Sequence, residues 1–256
     1  MLSPLTLDDG TSYLLLLNPT GGVLGGDRLR TEIDLGERAA VCLSTPSATR
    51  IYRTSGPPSE IHTVLRLATG ATLEYLPDHV IPHAGSHLRQ TLRIEMQQGS
   101  RGIFLDAFAA GRVARNEEWH FREFDSRTEI TLCGKLIYLS RTNIKGAASP
   151  ATSHLPLVTR HSSSASLGCM CGYSYCASLL IVADKFPDWS PVLTSLRAEL
   201  EAVPDIIGGV SLLTEAGCSA RYLAHSAIAL HEATRRLWTA ARREVLRRAP
   251  FDPRKY

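Results

Sequence analysis

Three histidines, His79, His83 and His87, recur at intervals of four, a spacing that lines imidazoles along one helical face for a transition metal. Pro82 and Gly85 fall between them and deny the helix. On an extended segment, two of the three can still converge on an ion with Asp78 and Glu74, or act as ordinary hydrogen-bonded histidines. Cys169-x-Cys171, followed by Cys176, lacks the paired CxxC knuckles of a zinc site. These thiols read as reduced, mostly buried small hydrophobes, against a metal store built on them.

The segment 18–28, NPTGGVLGGDR, packs four glycines into six residues, enough backbone donors to cradle a phosphate. A phosphate loop requires Gly-Lys-Ser/Thr after its glycines, whereas here Gly26 precedes the carboxylate of Asp27 and a strand follows. A tight structural turn, with Asp27 held by backbone donors, is the expectation. Gly-x-Ser-x-Gly, His-Glu-x-x-His and GxGxxG units are all missing, so no recognisable catalytic apparatus is present. The rival reading is a metal-dependent enzyme of unknown type using the His79, His83 and His87 region.

Arginines at 235, 236, 242, 243, 247 and 248 crowd the C-terminal part. Interleaved glutamates, with Trp238 as the one nearby stacking residue, favour a salt-bridged face or a protein interface over nucleic acid. A net charge of +3 agrees with that. The longest apolar runs, Tyr13–Leu17 and Leu179–Ala183, fall far short of the roughly 18 residues of a membrane span. Asp8 and Asp9 stand where a secretory signal has basic residues, and a cytoplasmic location is expected.

The elements that position these residues are mostly strands. Leu29, Thr31, Ile33 and Leu35 alternate with Arg30, Glu32 and Asp34. Ala39–Ser44, Ile51–Thr54, Ile61–Leu67, Thr72–Leu76 and Leu88–Met96 follow, punctuated by Gly36, Pro46, Gly56, Gly70 and Gly99. Arg122–Leu132, Leu136–Ser140 and Ser174–Ala183 continue the rhythm. Two helices come late. One has Ser190 as cap and Pro191 at its first position; the other begins between Ser219 and His225 and runs to Ala249, before Pro250. In the second, Glu232 faces Arg235 and Arg236, and Glu244 faces Arg247 and Arg248.

Segments 18–29, 45–53 (TPSATRIYR), 73–78 (LEYLPD) with Ile81-Pro82 and Ala84-Gly85-Ser86, and 111–115 (GRVAR) resemble, in that order, the motifs of the urease accessory protein UreD family, also called UreH. Gly217–His225, Leu237-Trp238 and Pro253-Arg254 look like the end of that family. The resemblance implies one unit over 1–256, mainly β, with sheets stacked in a helix-like array and two C-terminal helices. It further implies a non-enzymatic factor that binds UreF, through it the GTPase UreG, and apo-urease, and hands over nickel. Nickel would cross an internal water-filled channel, so Asp27, Glu32, Glu74, Asp78 and Asp106 are the expected acidic path, supplemented by His79 and His83. Arg235, Arg236, Arg242 and Arg243 are the expected partner surface, and no tightly bound cofactor is expected. Family members carry a longer lead-in before the glycine motif, so the N-terminal edge is expected to be altered. His83 and His87 stand where the family more often has other residues.

Overall fold

The structure is a computed structural model that describes residues 4–146 and 170–253. In chain order its strands are β1 (Leu5–Thr6), β2 (Ser12–Leu15), β3 (Arg28–Leu35), β4 (Ala40–Ser44), β5 (Thr49–Ile51), β6 (Ser59–Leu67) and β7 (Thr72–Leu76). Then come β8 (Val80–Pro82), β9 (His87–Met96), β10 (Arg101–Ala109), β11 (Glu123–Leu132), β12 (Lys135–Lys145) and β13 (Tyr175–Ala183). Helix α1 (Ser190–Glu201), β14 (Ile206–Leu212), β15 (Gly217–Ala224) and α2 (Ala227–Ala241) complete the set.

The chain winds between two sheets. β2, β4, β7 and β10 lie parallel in the first, and β3, β6, β9 and β11 lie parallel in the second. Strands stack turn on turn, as in a solenoid, because each coil leaves a period-two strand whose inner residues can be covered only by the facing sheet. The turns stack too. Arg38 N donates to Thr69 O and Gly70 N to Gln98 O, with Arg38, Gly70 and Gly99 all in the left-handed region. β12, β13, β15 and β14 then close both sheets with antiparallel pairs.

Three layers result. Leu43, Leu73, Phe104, Leu180 and Val182 of the first sheet meet Leu65, Leu67, Ile94, Met96 and Ile130 of the second. The opposite face of the first sheet, with Ile103, Leu105, Leu179, Ile181 and Tyr222, is covered by α1 and α2. Asp188 Oδ1 accepts from Ser190 N at the start of α1, and Ser226 caps α2 by accepting from Ala229 N at 3.1 Å.

The glycine motif owes its composition to packing. A β-carbon on Gly22 would sit 2.7 Å from the Arg50 carbonyl oxygen, and one on Gly25 would overlap the Thr54 side chain. Val23 N donates to Arg50 O and Tyr52 N to Val23 O, so this segment lies flat against the one around β5. Two separate motifs are thus one structural unit.

The second helix corrects the sequence reading. Gly217–Ala224 is a strand between β13 and β14, so α2 starts only at Ala227. Regular helix ends at Ala241, and Arg242–Leu246 form a wide π turn closed by Arg247 in the left-handed region. That geometry leaves Glu244 beside Arg243 rather than facing Arg247 and Arg248. It also turns Arg242 inward, where 1% of its surface is exposed. Its guanidinium pairs with Glu74 and Asp9, its Nε donates to Ala249 O at 2.6 Å, and it lies over the Phe251 ring at 4.8 Å. Trp238 Nε1 donates to the other Glu74 oxygen at 2.6 Å. Glu74 and Arg242 thus form a buried charged pair, and Arg242 is not part of the surface.

Removing Glu74 leaves the buried Arg242 guanidinium with Asp9 as its one carboxylate partner among the described residues, and Trp238 Nε1 without its acceptor. Glu74→Ala is expected to destabilise the fold by about 3–5 kcal/mol in urea unfolding, whereas the exposed neighbour Arg243→Ala should stay within roughly 0.5 kcal/mol of the parent. Equal effects of the two substitutions would contradict the buried tether.

Candidate functional site

Alternation along β10 sends Ile103, Leu105 and Ala107 to the helices and Phe104, Asp106 and Phe108 toward the second sheet. Asp106 therefore enters the inter-sheet space between two phenylalanines. There it meets polar side chains from the opposite sheet: Thr128 Oγ1 donates to its Oδ2 at 3.1 Å and Ser126 Oγ at 3.4 Å, and Gln90 Nε2 lies 3.5 Å from Oδ1. Gln90 also donates to Ser126 Oγ at 2.8 Å. Ser178 is paired with Asp106 across β13, and Arg221 with Ser178 across β15. Arg221 donates to Tyr138 and Ser140 of β12 at 2.8 and 2.7 Å. Apart from Gln90, these groups line a cavity of about 80 Å³.

This polar layer divides the inter-sheet core. Leu65, Ile94 and Phe104 pack on one side of it, and Leu88, Phe108 and Phe124 on the other. Low-dielectric surroundings push the Asp106 carboxyl above its ordinary range, and the hydroxyls of Thr128 and Ser126 and the charge of Arg221 reduce that shift without reversing it. Gln90 occupies an inward position in an otherwise apolar row of β9, which is the sequence signal that could have revealed the layer.

A second constellation lies on the helix side of the first sheet. The link from β7 to β8 carries Asp78 and His79, both buried, and α2 brings His231 over them. His79 Nδ1 lies 2.9 Å from Asp78 Oδ1 and His231 Nε2 lies 3.6 Å from it. Asp78 is fixed in turn: its N–H donates to Thr45 Oγ1, and its Oδ1 accepts from His79 N, both at 2.8 Å. The His79 ring meets those of Tyr175 and His231 edge-on, at 5.5 and 5.6 Å. All three residues line a cleft of about 620 Å³ between the sheet, α2 and Asp252-Pro253.

The remaining predicted residues are dispersed. Asp27 closes its own turn, accepting from Leu24 N at 2.9 Å. Glu32 lies on the outer face of β3, where hydrogen bonds from Arg66 and Arg30 hold its carboxyl below the ordinary range. His83 packs edge-on against Tyr52, and His87 has its Nε2 3.4 Å from Glu123 Oε2; burial lowers both imidazole pKa values. Neither joins His79, so the three-histidine cluster does not form. Cys169 lies outside the described residues; Cys171 is exposed and Cys176 faces the polar layer. Arg235 and Arg236 are held by Glu232, Arg236 also by Glu199 at 3.2 Å, and Arg243 is exposed. Among the described residues no helix is long and apolar enough to cross a membrane.

The profile of the family described as UreD urease accessory protein matches residues 1–256. A urease accessory protein UreD from Opitutus terrae is 32% identical over 248 residues, covering 97% of this chain and 85% of its own. That of Mycolicibacterium gilvum is 32% identical over 238 residues, with 93% and 81% covered. One from Enterobacter sp. is 26% identical over 251 residues, with 98% and 83% covered.

Asp106 makes stability depend on pH in a defined direction. A carboxyl raised in the folded state contributes stability below its unfolded value, near 3.8, that is lost as pH rises through the folded value. Asp106→Asn is therefore expected to melt higher than the parent at pH 7, with the gap closing as pH falls toward 4. Thermal melts across that range check it; a gap that widens in acid would contradict the assignment.

Proposed function

Since the chain belongs to the UreD family of urease accessory proteins and so has its role in urease maturation, we propose that it conveys nickel to apo-urease without catalysing a reaction of its own. The observation that carries this reading is the polar layer around Asp106. Sheet-on-sheet cores are mostly apolar, and a row of hydroxyl, amide and carboxylate groups across one avoids a desolvation penalty only by bonding within itself, as this row does; an internal polar row of this kind is what a hydrated ion needs to cross the core. Hydrated divalent nickel travels best among oxygen donors and water, which bind it loosely, and would be trapped by a closed thiolate cage. One carboxylate, at Asp106, attracts the cation, and the hydroxyls of Ser126 and Thr128 replace part of its water shell. The charge of Arg221 nearby shortens its stay.

The same reading gives the chain UreF as direct partner, UreG through UreF, and apo-urease as recipient, in the cytoplasm, with neither nucleic acid nor membrane bound. Arg235, Arg236 and Arg243 offer the charged part of such a surface, and Ile228, 83% exposed at the start of α2, an apolar one. Arg243 is the most available, because its contact with Glu244 is long at 3.4 Å. Arg242, being buried, contributes only by holding this region in place.

Asp106→Ala is expected to slow urease activation several-fold at limiting nickel while leaving capture of UreF unchanged. Arg235→Glu with Arg243→Glu should do the reverse, weakening capture at moderate salt. Activation assays and pull-downs on the same preparations separate the two. Full activation by Asp106→Ala at limiting nickel would remove the polar layer from the route.

A further inference from the structure

We propose that Asp78, His79 and His231 form a binding site for one borderline first-row divalent cation, of the nickel or zinc class, on the helix side of the first sheet. This site is separate from the polar layer and does not depend on nickel transit through it. One carboxylate and two imidazoles converge there with their ligand atoms all within 4.8 Å of one another. A cation about 2.0–2.2 Å from each donor needs them roughly 3 Å apart. His79 Nδ1 and Asp78 Oδ1 stand at 2.9 Å as a hydrogen-bonded pair, so an ion entering between them takes the place of the Nδ1 proton, which moves to Nε2 or to water, and closure asks His231 to draw in from its present 3.6 Å.

The donors differ in exposure in the way a loading site requires. Asp78 is pinned by Thr45 and by the His79 backbone, and its side chain is 3% exposed. His79 is held between Tyr175 and His231. The side chain of His231 is 35% exposed and faces the cleft, so it is the donor that an ion arriving through the cleft meets first. Two nitrogens and one oxygen suit nickel, zinc or cobalt and disfavour magnesium or calcium, which take oxygen sets. Three protein ligands leave positions for water, and the cleft has room for it. The bound ion would tie α2 to the β7–β8 link, across the same gap that the Glu74–Arg242 pair bridges farther along.

The test is calorimetric titration of the full chain, free of any affinity tag, with NiCl2 and separately with ZnCl2. One equivalent is expected to bind, to raise the melting temperature, and to weaken by about tenfold or more in His231→Gln and in Asp78→Asn. His231→Gln is the safer variant for folding, since the residue is partly exposed on a helix, and its metal-free melt serves as the control. His83→Gln and Asp106→Asn should keep the equivalent. Absence of binding, or binding unchanged in both His231→Gln and Asp78→Asn, overturns the site. Urease activation reports on the transit reading alone: an Asp106→Ala chain that still binds its equivalent but fails to activate separates the two.

Discussion

The guanidinium of Arg242 joins parts of the chain that the solenoid itself would leave apart. Asp9 belongs to the turn between β1 and β2, Glu74 to the middle of the first sheet, Trp238 to α2 and Phe251 to the C-terminal segment, and all meet around one cation. Packed hydrophobes of similar volume would hold these pieces about as strongly. What the charged pair adds is direction. Glu74 offers one oxygen to Trp238 Nε1 and the other to Arg242, so α2 can dock in one register, and that register sets where His231 stands over Asp78.

The two polar constellations lie on opposite faces of the first sheet, for the same reason that its core is two-sided. Along β10, odd positions serve the helices and even ones the second sheet, so Asp106 could not have faced α2 without moving every neighbour through the sheet. The β7–β8 link escapes that constraint because Pro77 interrupts the strand, and Asp78 and His79 can both turn toward the helix. A strand interior thus supplies single polar groups at fixed spacing, and a break supplies adjacent ones.

Strand rhythm was legible because alternation and turn residues agree locally. Thr72–Leu76 stands where the pattern put it, and β9 begins at His87, one residue before the alternating set. The helix start between Ser219 and His225 is open to error because Ser, Ala, Arg, Tyr and Leu fit either state, and only pairing with β13 and β14 decides for a strand up to Ala224. β14 left little trace, since Gly208 and Gly209 break its alternation. Arg242 could not be told from its exposed neighbours by type. Its burial follows from a π turn, which changes the face that each later residue presents. Asp78 and His79 were within reach because they are adjacent, whereas His231 lies in a distant helix and enters only through tertiary docking.

The acidic residues drawn from family motifs teach a related point about motifs themselves. Asp27 belongs to a glycine-rich segment whose composition is explained by close approach to Arg50 and Thr54, and its carboxylate completes that turn. Glu74 belongs to a motif that continues into Asp78, yet one serves the tether and the other the cleft. A motif marks residues that must stay together in space; it does not say that they share a task. Asp106, which stands outside the motif strings, is the carboxylate with polar partners from the facing sheet and an open volume beside it. Chemistry in this fold is therefore assigned by which sheet face a residue occupies and what stands opposite, and that is a property of the stacked coils rather than of the local sequence.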